Sequence, residues 1–331
     1  MAKEMLNISG TGKAHGKLIL MGEHSVVYDK LSVGIPFMAV SISVTITETK
    51  SPSYLDSSLY KGPLNKIPYF IENIFAVYKA LKADLNIEDK NFKIHVESNI
   101  PVERGLGSSA AIAVALVRAF ENYVAKEFET EKFLTYVDLS EKISHGNPSG
   151  LDARLISLEQ PLLYQKSKPI QNFYFHTPFW LTIIDTGITG QTKSAVSDVR
   201  SNFESPYYAR SRATQLTIDK LDELAKDFYY VLEHEQENFS RLAEIINSAH
   251  EQLRTLQVSS PEQDYGIKFA LENGAAAGKI TGGGRGGCFY VLSENEASAS
   301  KIQNLMLENQ LGVDAWITPL SSIDMGKEFF E

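Results

Sequence analysis

Residues 101–111 read PVERGLGSSAA, and no other stretch of the chain says more about its fold. Glycine has no Cβ, so the backbone N–H groups of this stretch can approach an anion closely. Apolar side chains then recur at helical spacing to about residue 125, which predicts a helix directly after the loop. A helix N terminus offers unpaired N–H groups and the positive end of its dipole, and Ser108 and Ser109 add hydroxyls. The stretch predicts a phosphate-binding loop; the alternative is a glycine–serine loop that only begins a helix.

Two carboxylates flank the next informative stretch. Glu141 and Asp152 lie eleven residues apart, and residues 145–150 between them read HGNPSG, which is typical of a turn. Folding at that turn would aim both side chains at one point, where one binds a divalent cation and the other takes a hydroxyl proton. The alternative is that Glu141 is a solvated helix residue and Asp152 an ordinary capping acid.

A second glycine cluster lies near the C terminus. Residues 279–288 read KITGGGRGGC, with five glycines in the six positions 282–287. Such a density indicates a loop where the backbone closely approaches another group, or else a hairpin or packed turn.

Charged residues interrupt an apolar run over residues 17–27. Lys17, Glu23 and His24 lie within it, and a charge in an apolar run must be paired or functional if it is buried. The alternative is an amphipathic strand with its polar side in water. Residues 185–193 are polar and rich in hydroxyl groups, including that of Thr192, which suits either a polar ligand or a surface loop.

Two familiar nucleotide-binding motifs are excluded. The run GTGKAHGK at residues 10–17 lacks the first glycine of a Walker A loop and the hydroxyl residue after its lysine. No G-x-G-x-x-G lies between a strand and a helix with a matching acidic residue, which excludes a Rossmann site.

Length and composition restrict the class of protein. A chain of 331 residues predicts two domains, with a boundary near residue 180 because helices dominate afterwards. The net charge of −9 argues against a nucleic-acid partner. No run approaches the ~18 apolar residues of a membrane helix, and no leader segment is visible, so a cytoplasmic location without membrane contact is expected. The single cysteine, Cys288, excludes an internal disulfide and is expected to be a small buried apolar residue.

Periodicity predicts strands and helices in both halves of the chain, and therefore a mixed α/β and α+β class. The predicted strands cover residues 34–47, 91–98, 173–185, 288–292 and 315–319. The predicted helices cover residues 69–81, 109–125, 133–143, two segments within 207–255, 265–273 and 301–311.

Taken together, these segments resemble the GHMP kinases, a family of small-molecule kinases. Three motifs of that family occur in the expected order, at residues 16–27, 101–111 and 279–288. The segments GEHSVVY at 22–28 and HGNPSGLD at 145–152 are similar to its mevalonate kinase branch. The resemblance implies an N-terminal domain like ribosomal protein S5 domain 2 over residues 1–180, and a C-terminal ferredoxin-like domain over 181–331. It places the active site in the cleft between them.

The resemblance also implies cofactors and roles for individual residues. ATP would be the co-substrate, Mg²⁺ the metal, mevalonate the acceptor and a homodimer the assembly. Asp152 would be the base and Lys17 the cation beside the γ-phosphate, while Ser109 and Glu141 would bind the metal. The remaining assignments are phosphate contacts at Pro101, Gly105, Leu106, Gly107, Ser108, Ser109, Ala110 and Ala111, and acceptor contacts at Glu23, His24, Thr192, Gly282 and Gly283.

Alternatives remain within and outside this interpretation. The acceptor could instead be a sugar, homoserine or an already phosphorylated acid, although homoserine kinases lack the base at Asp152. A non-catalytic nucleotide-binding protein on the same fold is the alternative from another class. Arg285 stands where relatives usually have a smaller residue, so it is an additional candidate for substrate contact.

Overall fold

A computed structural model describes residues 8–146 and 148–322. These residues form two compact units that alternate along the chain. The first unit contains residues 8–16, 40–101, 107–146 and 148–159, and the second contains residues 17–39, 102–106 and 160–322. The domain boundary near residue 180 stays a prediction.

The strands and helices are numbered in chain order. The strands are β1 Ser9–Met21, β2 Ser32–Thr49, β3 Tyr54–Asp56, β4 Lys61–Pro63, β5 Asn91–Ser98, β6 Leu162–Tyr164, β7 Gln171–Asn172, β8 His176–Asp185, β9 Ala277–Ile280, β10 Cys288–Ser293 and β11 Asp314–Ser321. The α-helices are α1 Glu72–Asp84, α2 Ser108–Val124, α3 Thr130–His145, α4 Leu151–Leu158, α5 Thr192–Phe203, α6 Tyr208–His234, α7 Phe239–Thr255, α8 Pro261–Glu272 and α9 Glu296–Glu308. Three short 3-10 helices cover Ser25–Tyr28, Leu64–Lys66 and Tyr69–Ile71.

The first unit packs helices against a sheet. The second half of β2 pairs antiparallel with β5, β5 pairs parallel with β3, and β3 pairs antiparallel with β4. Phe92 on β5 packs its ring against Phe120 and Tyr123 of α2, with centroids 5.3 Å and 5.0 Å apart. These buried aromatic contacts hold α2 against the sheet, and the burial of their rings stabilises the unit.

Strand β1 lies directly against helix α2 within the first unit. A Cβ on Gly10 would lie 2.1 Å from the carbonyl oxygen of Ala119, and one on Gly12 would lie 2.2 Å from that of Ala115. No side chain fits at such distances, so only glycine allows the strand and the helix to approach this closely. The glycines of the run that failed the Walker A pattern therefore serve packing, and they help to fix the helix whose first turn carries Ser109.

The second unit is built on a four-stranded antiparallel sheet in the order β11-β8-β10-β9. Strand β10 lies between β8 and β9, with Cys288 opposite Asp185 and Tyr290 opposite Lys279. Helices α8 and α9 cover this sheet through a core that includes Ile267 and Phe289. The β9–β10 hairpin thus projects the loop of residues 281–287 from a rigid, buried support.

The structure confirms most of the predicted elements. Strand β5 has the predicted bounds, and α2 begins one residue before its predicted start. Helix α5 was not predicted, since residues 185–193 were interpreted as a polar segment. Among the helices of the described ranges, none has the length and hydropathy needed to span a membrane.

Candidate active site

The glycine–serine stretch leads directly into α2. Gly107 precedes the helix at φ +84°, a left-handed conformation that favours glycine, and no side chain within the described ranges caps the first turn. The N–H of Ala111 donates to the carbonyl of Gly107 at 2.9 Å, which closes the first helical turn. Ser109 Oγ donates to Ser144 Oγ of α3 at 2.9 Å. The backbone N–H groups before Ala111 lie at the positive end of the helix dipole, which suits an anion.

Glu141 and Asp152 both belong to the first unit. Glu141 on α3 is only 3% exposed, which excludes the solvated helix residue of the alternative interpretation. Asp152 lies in the first turn of α4, but the residue at the cap position is Gly150, so Asp152 is not an ordinary capping acid. Arg154 binds the carboxylate of Asp138 on α3 and also donates to the carbonyl of Gly150. This ion pair holds the start of α4, and therefore Asp152, against α3.

Two glycine-rich loops meet in the second unit. A Cβ on Gly282 would lie 2.8 Å from the Cα of Gly105, and one on Gly105 would lie 2.7 Å from the carbonyl oxygen of Thr281. Both glycines have positive φ, so a side chain would be excluded by conformation as well as by space. The cluster at 282–287 is the loop of the β9–β10 hairpin, which was one of the two structures considered from the sequence. Its backbone also closely approaches another group, which was the other.

Arg104 holds the first of these loops in place. Its guanidinium lies 3.0 Å from the Asp185 carboxylate and donates to the carbonyl of Gly187 at 2.7 Å and to Thr189 Oγ1 at 3.0 Å. These contacts order the segment after β8, which leads to Thr192 at the start of α5. A Cβ on Gly283 would lie 2.0 Å from Thr192 Oγ1, so the hydroxyl lies directly against the backbone of the second glycine loop.

The charged residues of β1 and the following turn are buried in the second unit. Lys17 and Glu23 are each 1% exposed and His24 is 5% exposed, which excludes an amphipathic strand with a wet polar side. The Lys17 N–H donates to the carbonyl of Leu106 at 3.1 Å, and His24 Nε2 donates to the carbonyl of Gly283 at 3.0 Å. The segment of residues 17–24 is therefore hydrogen-bonded to both glycine-rich loops, at Leu106 and at Gly283.

Arg285 contacts other parts of the protein. Its Nε donates to the carbonyl of Gln257 at 3.1 Å and its Nη1 to the carboxylate of Asp198 on α5 at 2.6 Å. The guanidinium thus links the glycine loop to α5, whose first residue is Thr192. Cys288 is fully buried, as expected, and burial raises the pKa of its thiol.

Two residues near the glycine loop received no role from the sequence. Gln263 is fully buried and its Nε2 donates to the carbonyls of Gly286 and Cys288 at 2.8 Å and 3.3 Å. The sequence could have located Gln263, because Ser260 followed three residues later by Gln263 is the pattern of a capping box, which the two residues form at the start of α8. Lys279 forms an ion pair with Glu23. The rule that singled out Lys17 also applies to Lys279, a charge within the buried strand AGKI.

Two buried histidines give a stability prediction for the second unit. Burial lowers the pKa of His24 and of His250 to about 4. An unfolded histidine titrates near ~6.5, so between that pH and about 4 the unfolded chain binds protons that the folded chain does not. The contribution of each neutral histidine to stability is therefore present above pH ~6.5 and is lost as the pH falls towards 4.

Urea unfolding between pH 7 and 5 tests this. The free energy of unfolding is expected to decrease as the pH is lowered from 7 to 5. The change in this free energy per pH unit is expected to be smaller in His250→Asn than in wild type. The matched control is His95→Asn, since His95 is half-exposed. A slope that is the same in wild type and in His250→Asn would contradict the prediction.

Comparison with known proteins assigns the family. Residues 72–158 match the profile described as GHMP kinases N terminal domain, and residues 229–309 match GHMP kinases C terminal. The two profiles match half of the chain between them, in the expected order. The chain belongs to the GHMP kinase family.

Individual GHMP kinases are similar over most of the chain. A mevalonate kinase from Pyrococcus furiosus is 28% identical over 302 residues, covering 86% of this chain and 89% of its own. The crystal structure of mevalonate kinase from methicillin-resistant Staphylococcus aureus is 28% identical, with a TM-score of 0.70 and coverage of 95% of this chain and 100% of that one. The L. major mevalonate kinase in complex with R-mevalonate has a TM-score of 0.79 at 20% identity, covering 97% and 100%. The GHMP kinase fold is thus shared along nearly the whole chain.

Proposed function

We propose that this GHMP kinase transfers the γ-phosphoryl group of ATP to the primary hydroxyl of mevalonate, giving 5-phosphomevalonate for isoprenoid precursor synthesis. The single observation that carries the proposal is the similarity to mevalonate kinases over 86% of the chain. The segments at 22–28 and 145–152, which resemble the same branch of the family, agree with it.

The proposed nucleotide contacts are the loop around Gly107 and the first turn of α2. The uncapped N–H groups would bind phosphate oxygens, because they are unpaired donors at the positive end of a helix dipole. The residues assigned to this task are Pro101, Gly105, Leu106, Gly107, Ser108, Ser109, Ala110 and Ala111.

The proposed metal ligands fit Mg²⁺ in chemistry and number. Ser109 offers a hydroxyl and Glu141 a buried carboxylate, both in the first unit. Mg²⁺ prefers oxygen ligands and is usually held by one or two carboxylates together with substrate phosphates and waters. When bound, it would neutralise charge on the β- and γ-phosphate oxygens.

The proposed chemical roles belong to two side chains. Asp152 would take the proton of the attacking hydroxyl, and Lys17 would stabilise charge on the transferred phosphoryl group. In a loose transition state the hydroxyl loses its proton late, so a carboxylate of ordinary basicity is sufficient. Glu23, His24, Thr192, Gly282 and Gly283 would contact the acceptor.

A panel of acceptors tests the proposal against its rivals. ADP release is measured with ATP and mevalonate, phosphomevalonate, galactose or homoserine in turn. Mevalonate is expected to give the highest kcat/KM. A higher value with another alcohol would assign the chain to a different GHMP kinase activity, and ATP binding without turnover of any alcohol would favour the non-catalytic alternative.

Ser109→Ala is expected to raise the Mg²⁺ concentration needed for half-maximal rate by ~10-fold or more, because one metal ligand is removed. Titration of Mg²⁺ at saturating ATP measures this. Ser201→Ala is the matched control, since Ser201 is an exposed helical serine whose hydroxyl bonds to the carbonyl of Ser197. An unchanged Mg²⁺ requirement in Ser109→Ala would remove Ser109 from the ligand set.

Two further expectations stay predictions. The cytoplasmic location is the first of them. The homodimer follows only from the family resemblance.

A further inference from the structure

Lys279, in the second unit, forms a buried ion pair with the proposed acceptor contact Glu23 but has no role of its own in the function proposed so far. Lys279 on β9 is 0% exposed, and its ammonium binds Glu23 Oε1. The same ammonium donates to the carbonyl of Ile280 at 2.8 Å and lies 5.2 Å from the centre of the Tyr290 ring. The ammonium thus lies among a carboxylate, a carbonyl and an aromatic face. Because it is fully buried among these groups, we expect Lys279 to act on a ligand through Glu23.

The lysine is fixed on a rigid support. Tyr290 stands opposite Lys279 in the β9–β10 ladder, and its hydroxyl donates to the carbonyl of Leu20 at 2.8 Å. Thr281 Oγ1 lies 3.1 Å from both the N–H and the carbonyl of Ile19. These contacts join β1 to the β9–β10 hairpin beside the lysine, so the ammonium holds the Glu23 carboxylate in a defined position.

The lysine also determines the charge of Glu23. Burial raises the pKa of the Glu23 carboxyl and lowers the pKa of the Lys279 ammonium, and the attraction between the two groups opposes both shifts. Without the ammonium, burial would favour the protonated carboxyl, because an isolated buried charge is costly. The Lys279 ammonium, with Lys17 as a second nearby cation, therefore favours the carboxylate form of Glu23 against the effect of burial on its pKa.

Two acceptor atoms of the same turn lack a hydrogen-bond partner among the described residues. Glu23 Oε2 and His24 Nδ1 are both buried, without a hydrogen-bond partner in the described part of the chain. His24 Nε2 must carry the proton, because it faces the carbonyl of Gly283. In a neutral imidazole the other nitrogen, Nδ1, is then an acceptor. Both atoms require a donor, and unsatisfied buried acceptors are costly.

We propose that Lys279 is a positioning residue for the acceptor alcohol, holding Glu23 as a carboxylate whose Oε2 accepts a hydrogen bond from a substrate hydroxyl. This inference rests on the proposed function, in which Glu23 and His24 contact the acceptor. A hydroxy acid supplies hydroxyl donors, whereas its own carboxylate would be repelled by Glu23. The turn at 22–24 therefore selects the hydroxyl-bearing end of the substrate.

The test is a double-mutant cycle with Lys279→Met, Glu23→Gln and both together. Lys279→Met is expected to lower kcat/KM for mevalonate by at least ~30-fold, with the KM for ATP within about three-fold, because one partner of a buried charge pair is lost. The double variant removes both charges, and such replacements are often neutral for stability. Its Tm is therefore expected to return towards wild type while kcat/KM stays low. Recovery of both Tm and kcat/KM in the double variant would show a purely structural pair and overturn the proposal.

A substrate analogue provides a readout that a structural role would not change. Wild type is expected to prefer mevalonate to 5-hydroxy-3-methylpentanoate, which lacks the tertiary hydroxyl, and this preference is expected to fall by at least ~10-fold in the double variant. An unchanged preference would overturn the proposal. Lys90→Met is the matched control, because Lys90 pairs with Glu48 in the first unit.

The outcome is separable from the test of the proposed function. Wild-type turnover of mevalonate is measured first, and its absence contradicts the function alone. The same kcat/KM and Tm comparison, made with whichever alcohol the acceptor panel identifies, then decides the role of Lys279.

Discussion

Asp152→Ala is expected to lower kcat by at least ~100-fold while nucleotide affinity stays within a few-fold. A positioned general base contributes ~10²–10⁴ in rate, and its loss affects the chemical step more than ground-state binding. The Arg154–Asp138 pair and its contact with Gly150 hold the start of α4, so the substitution is expected to leave the fold intact. Steady-state rates at saturating ATP and mevalonate measure kcat, and equilibrium titration measures nucleotide affinity.

The matched control for this variant is Glu131→Ala. Glu131 is also an acid in the first turn of a helix of the first unit, but it is exposed. It is expected to turn over at the wild-type rate. Retained turnover in Asp152→Ala would assign the proton transfer to another group.

Lys17→Met is expected to lower kcat by ~10²–10³-fold, because it removes a preorganised cation from charge that develops in the transition state. Methionine keeps an unbranched side chain that is one atom shorter, and the hydrogen bond from the backbone N–H of residue 17 to the carbonyl of Leu106 is unaffected. The KM for mevalonate is expected to change much less than kcat, since the cation acts mainly on the transition state.

Lys13→Met separates this effect from a general loss of charge on β1. Lys13 lies four residues earlier on the same strand and is exposed. It is expected to retain the wild-type kcat. A kcat within a few-fold of wild type in Lys17→Met would contradict the electrostatic role of Lys17.

The strands and helices that could be predicted are those with a clear periodicity of apolar side chains in their own sequence. Strand β5 was predicted to the residue because its apolar side chains alternate. Helix α8 was predicted to start at 265, whereas it begins at Pro261, because the capping box of Ser260 and Gln263 sets its start rather than the apolar periodicity. Helix α5 was missed because it is polar, and only Ala195 and Val199 of it are buried.

In the candidate site, too, features with a local sequence pattern could be predicted, whereas contacts between distant residues could not. The glycine loops could be inferred from neighbouring residues, because clusters of small residues are visible locally. The burial of Lys17 stayed open, because an interrupted apolar run also fits an amphipathic strand with its polar side in water. The pairing of Lys279 with Glu23 joins positions 256 residues apart, and no local pattern specifies such a partner. The same holds for Gly105 and Gly282, whose mutual approach depends on two loops that are distant in sequence.

The glycines of β1 that face α2 have a packing role that the sequence alone did not reveal. Gly10 and Gly12 were considered only as part of a failed phosphate-loop pattern, yet each leaves room for a backbone carbonyl of α2. A glycine pattern by itself does not distinguish space for a ligand from space for a neighbouring helix. The identity of the facing element decides between them, and tertiary structure supplies it.

Initial rates with mevalonate, ATP and Mg²⁺, each left out in turn, test the central claim most directly. ADP and phosphorylated mevalonate are expected to form in a 1:1 ratio only when all three are present, with ³¹P NMR placing the new phosphate on the primary hydroxyl. ADP formation at the same rate without mevalonate, or phosphate on the tertiary hydroxyl, would contradict the account.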